Sequence, residues 1–193
     1  MKRSLNFRPL FIGLWLVSAG SLVNSASGED PTPPPSAPAV APDAITFLPG
    51  AANSPIAAGV AVPAGQALFL TSGTVPPVLD DKAAAGSPVR YGDTETQGAG
   101  ALRQIEIQLK KVGLSLKDVI YLRVYLAADK TKDGRFDYPG WFQAYGQFFG
   151  TPENPVKPAR STVGVASLVN PDWLIEIEAV AAYPKKEPAT PAK

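Results

Sequence analysis

Histidine and cysteine are both absent from this chain. Without histidine there is no Ser-His-Asp or Cys-His nucleophilic machinery. Without either residue, zinc held by imidazole or thiolate is excluded. The lack of cysteine also removes thiol redox chemistry, disulfides and a lipid-modified N-terminal cysteine. No acidic run of the D-x-[DN]-x-[DN]-G type occurs, and neither G-x-x-x-x-G-K-[ST] nor G-x-G-x-x-G is found. No metal and no nucleotide cofactor is therefore expected. Charge is nearly balanced, 18 Lys and Arg against 17 Asp and Glu, a net +1. That leaves no basic excess to bind a phosphate backbone, so nucleic acid is not an expected partner. Chemistry is left to Arg, Lys, Glu, Asp, Tyr, Ser, Thr and the backbone.

What remains is a chain of 193 residues, 45% hydrophobic, enough for one domain with a real core. Its N-terminus reads as a signal peptide over residues 1–26. Lys2, Arg3 and Arg8 precede the mostly apolar stretch Leu10 to Val23, and Ser25, Ala26 and Ser27 suit a signal peptidase. The apolar stretch is shorter than the roughly 20 residues that favour a retained membrane anchor. Export, in a periplasmic setting, and no stable membrane span after cleavage are the expectations. Residues 27–43 form a proline-rich linker, and 184–193 repeat that composition as a tail expected to be disordered. The folded unit is then 44–183.

Within it, strands are predicted over Ala44–Leu48, Val60–Ala64 and Ala67–Ser72, with a loop from Val75 to Asp93. Thr94–Val112 reads as a helix: Thr94 with Gln97 suggests a capping box, Leu102, Ile105, Leu109 and Val112 share a face, and Gly113 ends it. Val119–Leu126 alternates, with Ile120, Leu122, Val124 and Leu126 on one face and Tyr121, Arg123 and Tyr125 on the other. A second helix is predicted over Tyr138–Phe149, then strands over Arg160–Val165 and Trp173–Tyr183. The order β-β-β-α-β-α-β-β implies an α+β domain, one mixed sheet with both helices on a single face. The Tyr121, Arg123, Tyr125 face is too apolar for water and too polar for a core, which points to subunit association.

The last strand sets Ile175, Ile177, Ala179 and Ala181 toward the core and Glu176 and Glu178 the other way. A carboxylate between apolar neighbours is a candidate proton carrier. Arg160 shares parity with Thr162 and offers a planar fork for a carboxylate. Ser72 and Gly73 close a strand and are candidates for a pocket rim. By pattern alone, solvated surface charge is the favoured account of Arg160 and of the two glutamates, and the aromatic set around Trp141, Phe142 and Tyr145 reads as core.

Taken in order, the motifs say more. Leu70-Thr71-Ser72-Gly73-Thr74, Lys111-Val112-Gly113-Leu114, Leu116-Lys117-Asp118-Val119, Pro158-Ala159-Arg160-Ser161 and Ile175-Glu176-Ile177-Glu178-Ala179-Val180-Ala181 follow one another. In this series the sequence resembles the Rid (YjgF-like) family of imine and enamine deaminases, once labelled translation-inhibiting endoribonucleases, over residues 44–183. The resemblance implies a chorismate-mutase-like fold and a homotrimer with three pockets between subunits. It implies that Arg160 holds the carboxylate of a small metabolite and Glu176 positions water, with Thr162 lining the pocket and Gly73 facing the ligand. The reaction implied is hydrolysis of 2-imino or enamine acids to 2-keto acids and ammonia, without cofactor; the alternative is a non-catalytic binding protein for small carboxylates. A ribonuclease finds no histidine here for acid-base work. Two positions depart from the family pattern: Ala57-Ala58-Gly59-Val60 lacks a pocket tyrosine, and Phe142, which the resemblance places with Ser72, Gly73 and Thr162 among the substrate-binding residues, stands where an asparagine is usual.

Overall fold

The computed structural model describes residues 41–185. The segment read as a signal peptide, and most of the linker and of the tail, lie outside them. Among the described residues no helix is long and apolar enough to cross a membrane. Six strands and two α-helices follow the expected order: β1 Thr46–Leu48, β2 Gly59–Ala61, β3 Leu68–Leu70, α1 Thr94–Lys111, β4 Val119–Leu126, α2 Tyr138–Gly146, β5 Ala159–Gly164 and β6 Ile175–Ala182.

The strands make two sheets rather than one. The main sheet runs β3-β6-β4-β5, while β1 and β2 pair only with each other as an antiparallel hairpin. Pro63 and a positive-φ Gly65 lie between β2 and β3 and turn the chain out of the hairpin. In the main sheet β4–β5 is parallel and the other pairs antiparallel, so the sheet is mixed as expected.

Helix α1 starts one residue earlier in its cap than the sequence suggests. Asp93, not Thr94, is the N-cap, and its carboxylate accepts from Thr96 N–H at 2.9 Å. Gln97 is buried and does not reach back to the cap. Its amide instead donates to the carbonyls of Gly92 and Asp172 and accepts from Leu174 N–H. The helix ends as expected: Gly113 takes a φ of 78°, Gly113 N–H donates to Lys110 C=O and Leu114 N–H to Leu109 C=O. That pair of bonds is a Schellman closure.

The amide of Thr96 holds the Asp93 carboxyl below the usual carboxylate range. A pKa lowered on folding stabilises the fold above the unfolded value and loses that contribution as pH falls through the folded one. Asp93→Ala is expected to cost about 1 kcal/mol at neutral pH. In chemical denaturation the deficit should shrink as the pH is lowered through the acid range, and a deficit that does not change with pH contradicts the assignment.

Both helices pack on one face of the main sheet, against Leu122, Val124, Leu126, Ile175 and Ile177, all fully buried. They cross closely at Gly98, where a Cβ would lie 3.1 Å from the Ala144 Cβ and 3.2 Å from the Trp141 ring. The sheet's other face carries Tyr121, Arg123, Tyr125, Glu176 and Glu178, with Leu68, Leu70 and Val163 exposed. No element of this chain covers it among the described residues.

Candidate ligand site

Strand register decides which side of the sheet each predicted residue serves. Arg160 pairs with Leu122, whose side chain is core, so Arg160 lies on the helix side. Glu176 pairs with Tyr125 and lies on the open side. Within one chain the two are therefore on opposite faces of the sheet. Thr162 is on the helix side with Arg160, as its parity implies; Ser72, Gly73 and Glu176 gather on the other.

The Arg160 guanidinium rests on aromatic rings. Its central carbon is 4.3 Å from the Tyr145 ring centroid, 4.9 Å from Phe142 and 5.5 Å from Trp141. Each such contact contributes roughly 0.5–2 kcal/mol. No carboxylate pairs with it among the described residues, and Nη1 is buried without a hydrogen-bond partner. Burial lowers the pKa of the group, opposed by the Tyr145 phenol, but guanidinium stays charged at any ordinary pH. An unpaired, half-buried cation with an idle donor is a seat for an anion.

Beside it runs a cleft of about 710 Å³, walled by the 52–56 loop, Phe142, Tyr145, Phe149, Lys157 and Arg160. Tyr145 Oη donates to the Pro55 carbonyl at 3.0 Å, and burial pushes its pKa up to about 12. Trp141 Nε1 donates to Thr162 Oγ1 at 3.3 Å, so Thr162 steadies the platform and does not border the cleft. Of the 52–58 loop, residues 52–56 border it; Ala57 is buried and Ala58 lies off it. The aromatic set is both core and platform: Trp141 and Tyr145 are buried, yet their rings carry Arg160.

On the open side Gly73 and Glu176 are in contact. A Cβ built on Gly73 would fall 1.7 Å from Glu176 Oε1, so the carboxylate occupies the space that a side chain would take. Thr71 Oγ1 accepts from Ala179 N–H at 2.9 Å, and Thr74 and Ile177 exchange backbone bonds, so β6 fixes the Ser72-Gly73 turn at both ends. Ser72 is exposed, and Gly73 N–H donates to no protein group among the described residues. The two glutamates differ. Glu178 pairs with Arg123 at 3.2 Å and accepts from Tyr125 Oη at 3.3 Å, whereas Glu176 accepts from no donor among the described residues. Sequence gave them the same face; only the structure separates a committed carboxylate from a free one.

No sequence pattern marks the cleft residues 52–56 and Lys157. They are loop positions without periodicity, brought to Arg160 by the Tyr145–Pro55 bond and by Lys157 Nζ donating to the Ser54 carbonyl at 3.2 Å.

The family model for Endoribonuclease L-PSP matches residues 52–183. The 3-aminoacrylate deaminase RutC of Acinetobacter baylyi is 36% identical over 135 residues, covering 70% of this chain and 94% of that protein. A RutC family protein of Pyrococcus horikoshii is 39% identical over 121 residues, covering 63% of this chain and 82% of that protein. Among solved structures, the Rid-family protein YyfB of Yersinia pestis, of unknown function, superposes with a TM-score of 0.53 at 22% identity, over 72% of this chain and 97% of that one. At that identity the superposition speaks for the fold alone.

Proposed function

Because this chain belongs to the Endoribonuclease L-PSP family, the Rid (YjgF-like) proteins, we propose that it hydrolyses small 2-imino or enamine acids to 2-keto acids and ammonia. The observation that carries the reading is the Arg160 guanidinium at the cleft, held on an aromatic platform with no hydrogen-bond or ionic partner among the described residues. A substrate carboxylate would complete it with two parallel N–H···O bonds. Glu176, the carboxylate without a protein donor, would take a proton from water as the oxygen adds to the C=N carbon. It would pass that proton to nitrogen, giving a carbinolamine, and then carry the hydroxyl proton to the same nitrogen as C=O forms, the C–N bond breaks and ammonia leaves. Positioning is the main contribution, since water hydrolyses imines unaided. The relative named 3-aminoacrylate deaminase supports this class of reaction.

For both groups to meet one ligand, they must come from different copies of the chain, because within one copy the sheet separates them. We therefore propose a homotrimer with a site between neighbouring copies. The uncovered sheet face supports it: Leu70 is 64% and Val163 45% exposed beside half-buried Tyr121 and Tyr125. Burying such a patch is what drives subunit association. Sizing should give about three chain masses for the wild type. Leu70→Asp should run as a monomer without activity, and a trimeric, active Leu70→Asp contradicts the interface.

The direct test generates an imine with an amino-acid oxidase and follows keto-acid release against semicarbazide capture. Acceleration over buffer is expected. One observation favours a second reading, a carboxylate-binding protein without turnover: Phe142 presents a ring and no polar group to Arg160. Arg160-dependent binding with no acceleration decides for it. Export to the periplasm belongs to the same proposal. N-terminal sequencing of the mature protein should begin near residue 27, and a chain beginning at Met1 contradicts it.

A further inference from the structure

Apart from exposed Asn53, the polar side chains that line the Arg160 cleft are engaged inside the protein. Ser54 Oγ donates to the Ile56 carbonyl at 2.7 Å. Tyr145 Oη donates to the Pro55 carbonyl, and its burial keeps that phenol protonated. Lys157 Nζ, at the exposed rim, donates to the Ser54 carbonyl. What the walls still offer is the Arg160 guanidinium, which bonds to no protein group among the described residues, the Asn53 amide, and the apolar surface of Ile56, Pro55, Phe142 and Phe149. Phe142 is 47% exposed, and its ring borders the cleft with its centroid 4.9 Å from the guanidinium carbon. A cleft of about 710 Å³ also falls within the roughly 300–1,000 Å³ typical of small-molecule pockets.

A ligand with several polar groups would lose water at each of them and find few partners beyond the guanidinium. A ligand with one carboxylate and an apolar body would leave the fewest polar groups without a partner, and would cover the exposed ring and Ile56. Resting on the reading that Arg160 holds a carboxylate, we infer that the site selects 2-imino and 2-oxo acids with bulky apolar side chains, branched or aromatic, and that Phe142 with Ile56 sets that preference. Small or doubly charged acids are disfavoured: the first leave Phe142 exposed to water, and the second bring an anion that only the exposed Lys157 and Asn53 can meet.

The test is titration calorimetry with four 2-oxo acids, which are the products of the proposed reaction: pyruvate, 4-methyl-2-oxopentanoate, phenylpyruvate and 2-oxoglutarate. The proteins compared are wild type, Phe142→Asn, Phe142→Leu and Arg160→Ala. Wild type should bind phenylpyruvate or 4-methyl-2-oxopentanoate about ten-fold or more tightly than pyruvate. Phe142→Asn should bring that ratio down to about three-fold or less, chiefly by weakening the bulky acids, while Phe142→Leu keeps most of it. Position 142 is exposed on α2, and the leucine variant reports separately on whether the helix has kept its shape. Pyruvate or 2-oxoglutarate binding as tightly as the apolar acids overturns the inference and leaves the carboxylate site standing. If no acid binds in an Arg160-dependent way, the site itself is wrong and the inference falls with it.

Discussion

Arg160→Ala should lower kcat/KM for imine hydrolysis by about a hundred- to a thousand-fold while leaving the protein about as stable as the wild type. The loss follows from removing a charge-assisted bidentate pair, worth some 3–4 kcal/mol to a bound carboxylate. The stability expectation is more diagnostic. Arg160 contributes three ring contacts, at 4.3, 4.9 and 5.5 Å, to the folded state. Against these, its Nη1 is buried with no acceptor, a deficit of about 1–3 kcal/mol. The opposing effects are of similar size, so thermal unfolding should shift by no more than about 1 kcal/mol. Arg160→Lys keeps the charge but not the fork, and should recover only a small part of the activity. A variant that unfolds several kcal/mol more easily, with activity per folded molecule retained, would make Arg160 a structural residue.

Gly73→Ala should cost about a hundred-fold in turnover with the fold intact. Its new Cβ would sit 1.7 Å from Glu176 Oε1, 2.7 Å from Cδ and 3.1 Å from Cγ. These are the outer atoms of a flexible side chain, so Glu176 swings aside rather than the sheet yielding. The displaced carboxylate can no longer serve the proton transfers assigned to it, whose general acid-base share is typically at least a hundred-fold. Binding of a 2-oxo acid at Arg160 should change little. In an Glu176→Ala background, Gly73→Ala should cost almost nothing more, because both changes remove the same group. Additive losses in that cycle would mean that Gly73 acts by another route, such as its own N–H.

Much of this architecture is visible in the sequence because it is local. The two-residue period of β4 and β6 told core from open face correctly, since Leu122, Val124, Ile175 and Ile177 are fully buried and Tyr121, Arg123 and Glu178 are not. The end of α1 was legible because Gly113 supplies the left-handed φ that a helix stop requires. The start of α1 misled: Asp93 and Thr94 are both good caps, and Gln97 stands where a box partner would. Only the distant Asp172 and Leu174, which claim the Gln97 amide, decide between them.

The candidate site divides in the same way. Parity placed Arg160 with Thr162, and Glu176 with Glu178. It could not say that Arg160 and Glu176 look away from each other, because that depends on the order β6-β4-β5 and on two long-range registers. Nor could it separate Glu178, tied to Arg123 and Tyr125, from Glu176. The motif series carried the family, residues 44–183 against the 52–183 matched. The cleft wall at Ile56 was out of reach, since loop residues have no period and the bond that seats them, Tyr145 to Pro55, spans ninety positions.

That Arg160 and Glu176 serve one ligand from two neighbouring copies is tested most directly by subunit complementation. Arg160→Ala and Glu176→Ala proteins, each inactive, are unfolded together and refolded as a mixture. In a cyclic trimer assembled at random from equal parts, one site in about four combines an intact arginine from one copy with an intact glutamate from the next. Imine hydrolysis should therefore return to about a quarter of the wild-type rate per site. A mixture that assembles fully and stays as inactive as either parent contradicts the shared site.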